Sequence, residues 1–151
     1  MALVTAPPSG SRDTPVPGSR LRRISPPMLL AGGLLAASVA LHVRDPHHPG
    51  SWGYCPWLML TGTYCPGCGG LRAVNDLTRG DFAGAASSNL LFVASLPAIA
   101  FFWLRSVHQR WTGVRRPLPM AVLVTLVAVA LVLVVVFWVV RNLPAGSWLA
   151  P

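Results

Sequence analysis

The run Leu118 to Val140 (LPMAVLVTLVAVALVLVVVFWVV) holds 23 residues without a single charge. At 1.5 Å per residue a helix of that length reaches about 35 Å, enough to cross a hydrocarbon core of about 30 Å. Inside lipid every backbone polar group needs an internal partner, so the segment reads as a membrane-spanning helix. Pro119 falls in the first turn, where a missing N–H costs nothing. The chain around it agrees: 53% of its 151 residues are hydrophobic and 11% charged, against about 25% charged in soluble domains.

Two further apolar runs read as spans. Met28 to Val43 (MLLAGGLLAASVALHV) is 16 uncharged residues, about 24 Å of helix and therefore thin for a bilayer. A rival reading is a signal peptide, since Arg22 and Arg23 precede the run and Ser38-Val39-Ala40 has the small-x-small form of a cleavage site. Asn89 to Leu104 is short alone, but with Asp81 as N-cap the segment 82–104 gives a 23-residue helix that Pro97 kinks without ending. Residues 1–27 carry six prolines and no apolar periodicity, which predicts a disordered tail. Gly32, Gly33, Ala36 and Ala37 form a small-residue packing face.

Arginine chooses the topology. All twelve basic residues are Arg and all four acids are Asp. Eight Arg fall in the tail and in the 105–117 loop; Arg44, Arg72, Arg79 and Arg141 fall on the other side with three of the Asp. By the positive-inside rule the tail and that loop are cytoplasmic, and residues 44–81 and 141–151 face outward. Trp52, Tyr54, Trp57 and Tyr64 fit an aromatic belt at the outer interface. The net charge of +8 is explained by these flanks and not by nucleic acid, whose readers cluster their cations on a soluble face. No Gly-rich phosphate loop, Ser/His/Asp set or carboxylate pair offers hydrolase or nucleotide chemistry.

All three cysteines lie in YCPWLMLTGTYCPGCGG, Tyr54 to Gly70. Three readings stand open. A disulfide between Cys55 and either Cys65 or Cys68 would close a short loop in an oxidising compartment and leave one thiol over. A redox pair in Cys65-Pro66-Gly67-Cys68 would sit just before a short helix at about 70–79, whose N-terminus, with Arg72, favours a thiolate; such chemistry would be quinone-coupled. A metal site has the C-P-x-C-G shape of a zinc knuckle, with Cys55 and His47 or His48 completing the set beside Cys65 and Cys68. Arg72, Asp76 and Arg79, the first two at i and i+4, form a candidate grip for an anionic ligand or lipid phosphate. Asn75 and Asn89 read as polar bridges between helices.

The residues Cys55-Pro56, Leu60-Thr61-Gly62, Cys65-Pro66-Gly67-Cys68-Gly69, Arg72-Ala73, Arg79-Gly80-Asp81 and Asn89 closely resemble the bacterial membrane-protein family catalogued as domain of unknown function 2752. The resemblance covers about 50 residues and implies a small multi-span protein with its cysteine segment at one membrane face. It implies no substrate. Where the family pattern places Thr before the Arg, this chain has Leu71 and lacks that hydroxyl.

The sequence thus predicts an all-α inner-membrane protein of three transmembrane helices, 28–43, 82–104 and 118–140, with a cysteine-bearing outer cap and an interfacial helix. Its expected role is a non-enzymatic binding or assembly component whose partners are the bilayer and a membrane protein or a second copy of itself. A thiol-disulfide oxidoreductase using Cys65, Cys68 and Cys55, and a zinc site of Cys55, Cys65, Cys68 and His48, are the alternatives.

Overall fold

The computed structural model describes residues 14–15, 18–48 and 50–150. It is helical, as expected, and three of its helices are long and apolar enough to cross a membrane: α1 (Arg20–Val43), α4 (Phe82–Thr112) and α5 (Met120–Arg141). Two short helices, α2 (Pro56–Thr61) and α3 (Gly70–Thr78), lie between α1 and α4, and a 3₁₀ segment, Pro144–Leu149, follows α5. At the Arg-rich end a two-residue antiparallel ladder pairs β1 (Thr14–Pro15) with β2 (Val114–Arg115). No more than 11% of the apolar window of any span is buried against protein. Such surfaces belong in lipid, because water would drive them together.

Helix α1 starts eight residues before the expected boundary, so the part of the tail at 20–27 is ordered helix; the expectation of disorder over 1–13 and 16–17 lies outside the described residues. Pro26 and Pro27 sit inside it. Each proline strips the carbonyl four residues back of its hydrogen bond. Both orphans find side-chain donors: the Ser25 hydroxyl donates to Arg22 O at 3.0 Å, and Arg110 Nη1 donates to Arg23 O at 3.1 Å. The indole of Trp103 donates to Pro27 O at 3.2 Å. Helix α1 therefore runs 24 residues, about 36 Å, and is not the thin span its apolar run suggests.

Helix α4 outruns its expected end at 104 by eight residues, continuing as a polar extension to Thr112, where Gly113 in the left-handed region (φ 81°) closes it. The loop between α4 and α5 shrinks accordingly. Its N-cap is Asp81, whose carboxylate accepts from Gly84 N at 2.8 Å. The break in α4 is at Asn89 (φ −160°, ψ 90°), which alone inside the helix has non-helical angles; Pro97, where a kink was expected, does not. The Asn89 side chain recaps the second half by accepting from Phe92 N at 2.9 Å.

The packed core gathers at the cysteine end. The buried apolar side chains are Leu41, Cys68, Ala73, Ala85, Phe137 and Leu149, joined by the buried polar residues Asn75, Asp76, Ser88, Asn89 and Arg141. Helix α3 lies against the end of α1 and the first turns of α4. Its Asn75 donates to Leu41 O at 2.7 Å and its Arg79 to His42 O at 3.3 Å, which satisfies carbonyls that the end of α1 leaves open. Asn75→Ala is expected to strand the buried Leu41 carbonyl and cost about 1–3 kcal/mol; unfolding of detergent-solubilised protein measures it.

Candidate functional site: a three-thiol cluster clasped by α4 and α5

The cysteine segment folds around two tight turns. Pro56 starts α2 with Cys55 at its N-cap, and Gly62 (φ 69°) ends it. In Cys65-Pro66-Gly67-Cys68 the chain reverses, with Cys68 N donating to Cys65 O at 3.1 Å, and Gly69 (φ 80°) leads into α3. The glycine at 69 is required by that left-handed backbone, which a side chain strains. These turns bring Cys55, ten residues upstream, back onto the C-x-x-C.

The Sγ of Cys65 lies 3.6 Å from that of Cys55 and 2.9 Å from that of Cys68. All three sulfurs fall within 4.8 Å of one another. None forms the anticipated disulfide: the three thiols are free, and even the closest pair stands well outside the S–S bond length of about 2.05 Å. Beside them opens a cleft of about 530 Å³, into whose wall Cys55 and Cys68 both face.

Behind the sulfurs the turn is gripped through its carbonyls. Arg141 Nη1 donates to Cys65 O at 3.0 Å and to Cys68 O at 3.1 Å, while Nη2 donates to Leu149 O at 3.0 Å. Asn89 Nδ2 donates to Pro66 O at 2.9 Å and Cys68 O at 3.1 Å. Arg141 is 1% exposed, and its guanidinium carbon lies 4.9 Å from the Phe137 ring centroid and 5.8 Å from that of Tyr64. It forms no ion pair with a carboxylate among the described residues, and its Nε has no hydrogen-bond partner there. Its nearest anion-forming groups are thiols. The following residue closes the clasp: Asn142 Oδ1 accepts from Tyr64 N at 2.8 Å and its Nδ2 donates to Tyr64 O at 2.9 Å. Gly146 lets the 3₁₀ segment return, since a Cβ there would strike the Val140 carbonyl.

The electrostatics invert one expectation. Of the thiolates expected at Cys65 or Cys68, the one at Cys68 is opposed by burial. Burial, reinforced by the neighbouring Cys65 and Cys55 thiols, pushes Cys68 up to about 12. Cys55 moves down from the usual thiol value, through the Leu58 N–H first and the Cys68 thiol next. Between these two thiols, Cys55 is therefore the more readily ionised. The cation nearest the turn is Arg141, which sequence reasoning counted only as flanking charge; its place as the last residue of a 22-residue helix that is otherwise uncharged was the available signal.

The other candidates scatter. His47, a possible fourth ligand, lies with Nδ1 2.8 Å from Asp45 and Nε2 3.3 Å from Asp76. His48 stands in the cleft wall, outside the sulfur cluster. Arg72 and Asp76 share a helix without pairing. Asp76 accepts from the Ser88 hydroxyl at 2.9 Å, and Arg79 donates to Asn75 Oδ1 at 2.9 Å and reaches Asp45 at 3.6 Å. Arg72 alone of that trio lines the cleft.

The comparison with families bears on the cysteine segment. Residues 55–103 match the family described as protein of unknown function (DUF2752). The resemblance seen in the sequence is thereby borne out. Neither the curated proteins nor the solved structures yield a match. The DUF2752 match takes in the three cysteines, α3 and Asn89 and ends at Trp103, so the clasping Arg141 lies beyond it.

In metal-free protein, Cys55 is expected to reach half its maximal alkylation rate below the ordinary thiol value of about 8.5, and Cys68 to stay unreactive through pH 10. Because the folded state holds the Cys68 proton more tightly than the unfolded chain does, its contribution to stability is complete below about pH 8.5 and is lost as pH rises toward 12. The Cys55 contribution has the opposite sign, present above the unfolded thiol value and lost as pH falls through the lowered one. Alkylation followed by mass analysis across pH, with unfolding curves at the same values, checks both.

Proposed function

We propose that this chain is a multi-pass membrane component whose cap binds a thiophilic metal ion, zinc foremost, through Cys55, Cys65 and Cys68. The convergence of three sulfurs carries the reading. Sulfurs about 2.3 Å from one tetrahedral ion sit about 3.8 Å apart; the Cys55–Cys65 separation of 3.6 Å is near that edge, the Cys65–Cys68 separation of 2.9 Å is shorter, and all three sulfurs lie within 4.8 Å. Three thiolates and a divalent ion together carry one negative charge, and Arg141 supplies one positive charge behind them. That balance supports burial of both. The arginine asymmetry supports a cap outside the cell membrane with the Arg-rich end in the cytoplasm.

The 2.9 Å approach of Cys65 to Cys68 favours a second reading, a thiol-disulfide couple. There the two sulfurs would bond as two electrons and two protons pass to a quinone or a disulfide acceptor. One measurement separates the two. Protein purified in mild detergent is loaded with zinc, freed of excess, and analysed for metal and free thiols. About one zinc per chain, lost on Cys55→Ser or Cys65→Ser, is the expected result. Absence of zinc with three free thiols would sink the metal reading, and one free thiol per chain would establish the couple.

A further inference from the structure

The metal reading leaves one coordination position to assign, and the surroundings of the cluster restrict what fills it. Tetrahedral thiophilic ions take four ligands; structural sites draw all four from protein, and reactive sites keep one for an outside molecule. The cluster offers only the three sulfurs, with no His, Asp or Glu joining them among the described residues. His47 is held by Asp45 and Asp76. On the Arg141 and Asn89 side the turn is sealed by hydrogen bonds, so the remaining approach is from the cleft.

That cleft has the size of a small-molecule site, about 530 Å³, and too little space for a folded partner. Trp52 and Tyr54 give it apolar walls, and Arg72 gives it a cation. Arg72 donates through Nε to Pro46 O at 3.4 Å, and no carboxylate pairs with its guanidinium among the described residues. We propose, resting on the metal reading, that the fourth ligand is an exogenous small anionic thiol: its sulfur completes the metal in the Cys55 and Cys68 wall of the cleft, and its anionic group meets Arg72. A metal already bound to three thiolates is soft and prefers a fourth sulfur. The incoming thiol gives its proton to water as its sulfur displaces the solvent ligand, and nothing is oxidised or reduced.

Cobalt(II) substitution in the full-length, detergent-solubilised protein tests this, because the visible d–d bands report the fourth ligand directly. Thioglycolate is expected to shift those bands and to bind at least about tenfold more tightly than uncharged 2-mercaptoethanol. Arg72→Gln should erase that preference. Failure to take up cobalt removes the metal reading itself. Cobalt bands indifferent to both thiols overturn only the present proposal, and a change of those bands in His48→Ala would then name His48 as the fourth ligand. Equal affinity for the two thiols in the unmodified protein also overturns it, since Arg72 would then meet no anion.

Discussion

A guanidinium taken out of water at the end of a membrane helix needs its donors satisfied and its charge answered, or it costs several kcal/mol. Arg141 meets most of the first demand with three backbone carbonyls, Cys65 O, Cys68 O and Leu149 O, its Nε alone finding no partner among the described residues. Two aromatic faces add cation–π attraction. The consequence reaches well beyond the local turn. Helix α5 is exposed along most of its length from Met120 onward, and lipid covers that surface as well as protein would. What ties α5 to the cap is its last turn: Phe137, Arg141, the Asn142 exchange with Tyr64, and an edge-on contact of Trp138 with Trp57 at 5.9 Å. Arg141 thus links the position of a helix to the shape of the cysteine turn.

The same rule governs the other irregular points. In a bilayer the hydrophobic effect does not drive helices together, so unmet backbone groups decide which contacts form. The two carbonyls freed by Pro26 and Pro27 recruit Ser25 and, from α4, Arg110. The end of α1 recruits Asn75 and Arg79 from α3. The break in α4 lets Asn89 face the cysteine turn and still cap the helix that follows. Polar side chains, each with a stated carbonyl or amide to serve, join the spans where apolar packing is thin. This is why the buried core of so hydrophobic a chain contains as much Asn, Asp and Arg as it does.

Much of this was legible in the sequence. Uncharged runs fixed the three spans because nothing else can be built from them, and Asp81 was readable as an N-cap because its position before an apolar run has a single use. The spacing of the cysteine segment carried the family resemblance. Helix ends were less legible: α1 and α4 both continue into charged or proline-bearing sequence, where hydropathy stops but helical hydrogen bonding does not. Least legible was the clasp. Arg141 and Cys65 are 76 residues apart, and a terminal arginine after an apolar run has an adequate explanation as interfacial charge. Asn89 was visible as a bridge, but not as the break in its own helix. Conversely, Arg72, Asp76 and Arg79 looked like one site because they are close in sequence, while Asp76 turns inward to Ser88, Arg79 bonds Asn75 at the exposed helix end, and Arg72 lines the cleft.

The clasp also bears on how the cluster holds charge. Within the matched segment, 55–103, the three thiols have Arg72 in the cleft wall, but the side chain that bonds their turn from behind is Asn89, an uncharged donor. With that donor alone behind them, gathering three thiolates would stack negative charge in a poorly solvated turn, and like charges at 3 to 4 Å repel strongly where water is scarce. Cys68 already shows the effect, since burial and its neighbouring thiols hold its proton on. Arg141 changes the balance because its guanidinium brings a positive charge against the turn. It reaches the sulfurs through the carbonyls it binds, without blocking the cleft they face. A lysine in its place would keep the charge but lose the planar fork that spans Cys65 O, Cys68 O and Leu149 O together. The site is therefore a joint product of two distant parts of the chain, with the sulfurs supplied by the cap and the counter-charge carried in by α5.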